Sequence, residues 1–133
     1  MTTEIYWLAM TCLLTSVMWV PYILNRVMVR GLPRAMGNPI PEDKPHASWA
    51  ERAIKAHNNT VENLVVFAPA VLMVHVLGAG TAATATAAMA FFFIRLAHYV
   101  VYLAGVPYIR TLLFAAGWVA QIVILLAVLQ FQG

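Results

Sequence analysis

The chain has 133 residues, of which 62% are hydrophobic and 10% are charged, and its formal net charge is +3. Because about 25% of the residues of an average soluble domain are charged, this composition excludes an ordinary soluble domain and indicates a membrane protein. A spanning helix needs about 20 mainly apolar residues, so the length allows four crossings and no second domain. We therefore interpret 1–133 as a single transmembrane domain. We predict that it lies in the lipid bilayer and binds no nucleic acid.

Four apolar stretches follow one another along the chain. The first, at about 4–30, follows Glu4 and contains Pro21. Its apolar part is longer than the core of a signal peptide and no lysine precedes it, so we predict a retained helix. Three more helices are predicted at about 50–77, 82–105 and 109–131. Since open strands cannot satisfy their backbone groups in lipid, the fold class predicted is an all-α membrane protein, an antiparallel four-helix transmembrane bundle.

The loop at 31–49 separates the first two helices. It contains four prolines, which predict an extended, turn-rich connector: Pro33, Pro39, Pro41 and Pro45. Six of the eight basic residues lie in or beside this loop: Arg26, Arg30, Arg34, Lys44, Arg52 and Lys55. By the positive-inside rule the loop is cytoplasmic and both termini lie on the other side of the membrane. For a bacterial protein this would be the inner (plasma) membrane.

Polar residues form a stripe in the segment "KAHNNTVEN" at 55–63 and its surroundings. At 100° per residue, five side chains of the second helix share an arc of about 100°: Arg52, Lys55, Asn59, Glu62 and Asn63. On the third helix, Arg95, His98 and Tyr102 follow at i, i+3 and i+7, and Arg110 opens the fourth helix. We expect these helices, together with Arg30, to direct polar groups into one cavity that faces the cytoplasm.

The charges of this stripe do not balance. Glu62 alone cannot neutralise the five cations around it, which are Arg30, Arg52, Lys55, Arg95 and Arg110. The excess of positive charge indicates an anionic ligand, and a deeply placed arginine such as Arg95 is usually functional. The alternative is that Arg95 pairs with Glu62 only to join two helices. No clustered spacing of metal ligands occurs, so we predict no metal or haem.

Two segments carry a family resemblance. The stretch "ERAIKAHNNTVENLVVFAP" at 51–69 resembles the second-helix signature Arg/Lys-Ala-His-x-Asn-x-x-Glu-Asn of the MAPEG family, membrane-associated proteins in eicosanoid and glutathione metabolism. The stretch "RLAHYVVYLAGVPYIRTLLF" at 95–114 resembles that family's Arg-x-x-His-x-x-x-Tyr and the Pro-x-x-Arg that follows it. The short "GNP" after the first helix also fits, and the resemblance extends over nearly the whole chain.

The resemblance implies a homotrimer that binds glutathione as a co-substrate between neighbouring subunits, near the cytoplasmic face. It implies an enzyme similar to microsomal glutathione transferases, a transferase or peroxidase that activates the glutathione thiolate against lipophilic electrophiles or hydroperoxides. Arg110 matches the arginine proposed to stabilise the thiolate. The residues at glutathione-binding positions are Arg30, Arg52, Lys55, Asn59, Glu62, His98 and Tyr102, and Thr111 stands where some members have serine.

Two residues depart from the family pattern. Lys55 replaces the commoner arginine, which keeps the charge and loses the planar fork, and Phe114 replaces the tyrosine of the prostaglandin and leukotriene synthases. The alternative function is therefore a non-catalytic MAPEG-like subunit that binds lipid or a larger membrane protein complex.

Overall fold

The computed structural model describes all residues 1–133, and the chain is helical with no strands. Its helices are α1 (Thr3–Val17), α2 (Trp19–Arg30), α3 (Leu32–Met36), α4 (Ser48–Leu77), α5 (Ala82–Ala104) and α6 (Pro107–Gln130). Four spans are long and apolar enough to cross a membrane: Thr3–Arg30, Ser48–Leu77, Ala82–Ala104 and Pro107–Gln130. The all-α fold with four spans, predicted from the sequence, is confirmed.

The first span consists of two helices, although its apolar pattern predicted one. The break at Met18 follows from Pro21, which has no N–H to donate to the carbonyl of the preceding turn. Side chains from other helices meet the broken segment: Tyr99 donates its hydroxyl to the Met18 carbonyl at 2.8 Å, and the Tyr22 hydroxyl lies 2.7 Å from His57 Nδ1. The packed helices therefore place hydrogen-bond partners beside the broken segment.

The loop between α2 and α4 is more ordered than an extended connector. The short helix α3 has Pro33 in its first turn, where a missing N–H is harmless. Arg34 Nε donates to Asp43 at 2.6 Å and the Ile40 N–H donates to the other carboxylate oxygen at 3.0 Å. These two bonds lower the pKa of Asp43 to about 2. The loop is thus closed by a charged turn of its own.

We call the end of the bundle that carries this loop the loop end, and the end that carries both chain termini the terminal end. The core toward the terminal end is apolar: Phe67 of α4 stacks on Phe91 of α5, with ring centroids 3.9 Å apart. Small residues such as Ala70, Ala88 and Ala120 lie in the same cluster and let the helices approach closely, as is common in membranes. A smaller apolar cluster of Met18, Ala53, Ala56 and Tyr99 lies toward the loop end.

One polar contact lies in the terminal half. Glu4, which is 5% exposed, accepts a hydrogen bond at 2.6 Å from Thr84 near the start of α5. Thr81 and Thr84 also cap this helix reciprocally. The contact fastens the start of α1 to the start of α5.

Candidate functional site

Arg95 lies between the two apolar clusters, on α5, and its side chain is 0% exposed. Its Nη2 donates to Asn59 Oδ1 at 2.6 Å and to Thr60 Oγ1 at 3.0 Å, both on α4, and lies 3.4 Å from His98 Nδ1. Its Nε and Nη1 have no hydrogen-bond partner. The middle of the bundle therefore contains a positive charge with two free donors and no counterion.

Glu62 does not supply that counterion within the chain. It is exposed on α4, and the ion pairs of the structure are Arg34–Asp43 and His46–Glu51. The alternative in which Arg95 pairs with Glu62 to join two helices is thus not formed in the chain. Arg95 contacts an amide, a hydroxyl and an imidazole instead.

A row of three side chains continues from Arg95 toward the loop end. The buried His98 ring packs edge-on against Tyr102, with centroids 5.6 Å apart. The Arg110 guanidinium lies over the same tyrosine ring, 4.3 Å from its centroid. This geometry is a cation–π contact. Tyr102 therefore holds the predicted catalytic arginine next to the predicted binding histidine.

The remaining predicted site residues lie apart from this row. Arg52 donates through Nε and Nη2 to the Leu103 carbonyl, at 3.0 and 2.9 Å, and Arg30 donates to the Lys44 carbonyl at 2.7 Å. Lys55 is exposed and makes no polar contact, and Thr111 is exposed and donates only to its own helix. The structure brings together Asn59, His98, Tyr102 and Arg110, and no hydrogen bond or ion pair joins Arg30, Lys55, Glu62 or Thr111 to them.

Arg52 lies close to the end of α5 for a steric reason. Gly105 ends this helix with φ = +79°, in the left-handed region that favours glycine. A Cβ there would lie 3.3 Å from the Arg52 guanidinium carbon. Glycine therefore allows both the chain reversal and the approach of the arginine to the Leu103 carbonyl.

Electrostatically, the loop end has more cations than acids to pair with them. The five cations of the predicted cavity form no ion pair with a carboxylate: Arg30, Arg52, Lys55, Arg95 and Arg110. Two of them donate to backbone carbonyls and one to neutral side chains, which satisfy donors without neutralising charge. Cations without a counterion attract anions, and Glu62 remains free for a cationic group.

The comparison with known families decides what kind of protein has this arrangement. The family model for the MAPEG family matches residues 5–130. The chain belongs to the MAPEG family. No curated protein and no solved structure matches it. MAPEG membership and the four spans make the chain a multi-pass membrane protein related to glutathione or eicosanoid metabolism.

This MAPEG chain also contains polar residues of the site that sequence analysis did not select. Thr60 binds Arg95, and Gln121 of α6, which is 4% exposed, donates to Asn63. The sequence gives no reason to select Thr60, because threonine is common on both the buried and the exposed faces of helices. Gln121 does carry one, since it interrupts the long apolar run of the fourth span, where a polar side chain is costly.

Proposed function

We propose that this MAPEG protein is a glutathione-dependent membrane transferase or peroxidase that acts on lipophilic electrophiles or hydroperoxides. The observation that carries the proposal is the set of cations without carboxylate partners, with the unpaired Glu62 on the same helix as Arg52 and Lys55. Glutathione has two carboxylates, one ammonium group and a thiol. Its charges are complementary to those of the loop end.

Each predicted residue has a role in this proposal. Charge-assisted bonds to carboxylates suit the cations, so Arg30, Arg52 and Lys55 bind the two carboxylates and Glu62 binds the ammonium group. The neutral groups that complete the site are Asn59, His98, Tyr102 and Thr111. Lys55 and Glu62 can meet a ligand without breaking an existing bond, because neither has a polar partner in the chain.

Arg110 activates the thiol. A thiol is nucleophilic as its thiolate, and a neighbouring cation lowers its pKa from about 8.5. Arg110 stands near the N-terminus of α6, so the positive end of the helix dipole adds to its charge. The thiol proton leaves for solvent, and the sulfur attacks an electrophilic carbon. A C–S bond forms as the leaving group departs with its electron pair.

The peroxidase reaction uses the same thiolate. Sulfur attacks the terminal oxygen of the hydroperoxide, the O–O bond breaks, and the alkoxide takes a proton to become an alcohol. The sulfenic acid formed on glutathione then reacts with a second glutathione thiol, which gives the disulfide and water. The apolar substrate reaches the sulfur sideways from the bilayer.

We further propose that the protein is a homotrimer whose loop end faces the cytoplasm, with both termini on the other side. The exposure of Lys55 and Glu62 on a single subunit supports a site that a neighbouring subunit completes. Native mass spectrometry in mild detergent is expected to give trimers. Monomers or dimers alone would contradict the shared site.

Calorimetry of glutathione binding to the purified protein tests the function. The double variant Arg52→Ala with Lys55→Ala should weaken binding at least tenfold, since two charge-assisted bonds are lost. Lys44→Ala removes an exposed cation of the adjacent loop and is the matched control, with binding unchanged. Arg110→Ala should retain most of the affinity but lose the ultraviolet absorbance of the bound thiolate near neutral pH.

The second candidate function is a non-catalytic subunit that binds lipid or a larger membrane protein complex. The observation in its favour is Phe114, a half-exposed ring without the hydroxyl that tyrosine would supply at that position. A wild-type protein that binds no glutathione in the calorimeter would select this candidate. Binding with no thiolate absorbance would also select it, because the ligand would then be held without activation.

A further inference from the structure

Gln121 lies in the middle of the fourth span, far from water. It is the fifteenth residue of a 24-residue helix and is 4% exposed. Its Nε2 donates to both the backbone carbonyl and the Oδ1 of Asn63 on α4, at 3.1 and 3.2 Å. A primary amide at this depth is costly unless it is bonded. These two bonds therefore give its side chain one defined orientation.

The bonds continue from Gln121 to the buried arginine. Asn63 Nδ2 donates to Asn59, at 2.8 Å to the backbone oxygen and 3.4 Å to Oδ1. The same Asn59 Oδ1 accepts the 2.6 Å bond from Arg95 Nη2. Side chains of three helices thus form one continuous chain of hydrogen bonds, with Asn59 at the point where the two directions meet.

The direction of donation fixes the amide of Asn59. Because Gln121 donates to Asn63 Oδ1, the amide nitrogen of Asn63 must point to Asn59. Arg95 donates to Oδ1 of Asn59 at 2.6 Å. Asn63 Nδ2 donates mainly to the backbone oxygen of Asn59 and, at 3.4 Å, also faces Oδ1, so both donors favour the same orientation of the Asn59 amide. The Nδ2 group of Asn59 consequently points away from these hydrogen bonds and has no acceptor in the protein. The Asn59 side chain is only partly buried.

We propose that Gln121 is a positioning residue of the site. Through Asn63 it holds Asn59 with Oδ1 against Arg95, so that Asn59 Nδ2 is presented as a donor to an acceptor on glutathione. The role of the ligand in this inference rests on the proposed function. The orientation of Asn59 does not, because it follows from contacts within the chain.

The test compares Gln121→Met with Ile124→Val in the purified protein. Methionine keeps the length and lack of branching of glutamine and removes the donor. Ile124 lies on the same helix, is fully buried and has no polar atom, so its variant controls for a change of packing. Gln121→Met should raise KM and Kd for glutathione about fivefold, the value of one hydrogen bond, with kcat little changed. Ile124→Val should leave both constants in place.

A second pair of variants tests whether Gln121 acts through Asn63. If it does, Gln121→Met combined with Asn63→Leu should weaken binding no more than Asn63→Leu alone, a strong departure from additivity. If the losses of glutathione affinity in the two single variants add up in the double variant, Gln121 does not act through Asn63 and the proposal is overturned. A lowered Tm with unchanged KM, Kd and kcat in Gln121→Met would reduce Gln121 to a helix contact and overturn the proposal.

The orientation itself has a readout that needs no ligand. In the ligand-free protein, the side-chain amide NMR signal of Asn59 should shift in Gln121→Met and stay in place in Ile124→Val. An unmoved signal overturns the positioning role even if glutathione binds. A wild-type protein that binds no glutathione refutes the proposed function, whereas a shifted Asn59 signal would still support the fixed amide.

Discussion

Replacement of Arg95 by methionine should stabilise the protein and abolish the glutathione-dependent activity proposed for it. An arginine near the centre of a spanning helix costs about 2.5–3.5 kcal/mol on insertion scales, and two of the nitrogens of this arginine have no partner. Unsatisfied buried donors add about 1–3 kcal/mol. Arg95→Met removes both costs and keeps a long, unbranched side chain in the space between α4 and α5.

The hydrogen bonds that Arg95→Met removes contribute less free energy than these costs. The bonds to Asn59 and Thr60 disappear, and polar contacts between membrane helices are worth about 0.6 kcal/mol each on average. These terms differ by roughly 2–5 kcal/mol, and part of the cost remains in the unfolded state, because an unfolded chain in a membrane also finds polar partners. We therefore expect the free energy of unfolding to rise by roughly 1–3 kcal/mol, as when buried ionic groups elsewhere are replaced by apolar ones. The proposed glutathione turnover should fall to background, because Asn59 and His98, which complete the proposed site, lose the buried arginine that contacts them.

Thermal unfolding of the ligand-free protein in detergent measures this effect. At about 4 °C per kcal/mol, Tm should rise by several degrees in Arg95→Met. Leu96→Met is the matched control, since Leu96 neighbours Arg95 on α5, has no polar partner and is partly exposed. A Tm below that of wild type would show that Arg95 holds the helices together and would refute the reasoning. Retained turnover would remove Arg95 from the site.

Two further predictions concern contacts outside the site. The lowered pKa of Asp43, about 2, means that its bonds to Arg34 and to the Ile40 N–H stabilise the loop above pH 3.9 and are lost as pH falls toward 2. The Ile40 amide NMR signal should therefore titrate near pH 2, and nearer pH 4 in Arg34→Ala; an unchanged midpoint would contradict this. Glu4→Ala should cost about 0.5–1.5 kcal/mol of stability, because the hydrogen bond between α1 and α5 is lost while the Thr84 hydroxyl keeps the Thr81 carbonyl as an acceptor, and Glu4→Gln should cost less. Glutathione affinity should not change in either variant, and an unaltered Tm would show that the contact is dispensable.

The four spans were predictable because the apolar runs are long and separated by Gly and Pro. The contacts at the break in the first span were not predictable, because Pro21 predicts a missing hydrogen bond but does not indicate which side chain contacts the backbone there. That Tyr99 reaches the Met18 carbonyl depends on how α5 packs against the first span. The contact of Glu4 with Thr84 was not predictable for the same reason, because the two residues are 80 positions apart in sequence and meet only through the packing of α1 against α5.

The candidate site was predictable as a region, and its internal bonds were not. The sequence analysis assigned Asn59, His98 and Arg95 to one cavity, and the structure shows that Asn59 and His98 contact Arg95. An arc of about 100° is too wide to separate the side chains that point between two helices from those that point outward. Glu62 and Asn59 share the arc, and yet Asn59 binds Arg95 while Glu62 is exposed.

The position of Arg95 between two apolar clusters explains how one chain combines stability with an unpaired charge. Toward the terminal end, the stacked Phe67 and Phe91 and the small residues around them pack the helices without any contribution from the site. The surroundings that make Arg95 costly also strengthen its attraction for an anion, because Coulomb energies rise as the dielectric constant falls. A shift of Arg95 to the surface would reduce both the cost and the attraction. The apolar packing of the other half therefore offsets the cost of the buried charge, and an anion that reached Arg95 would gain from the low dielectric constant around it.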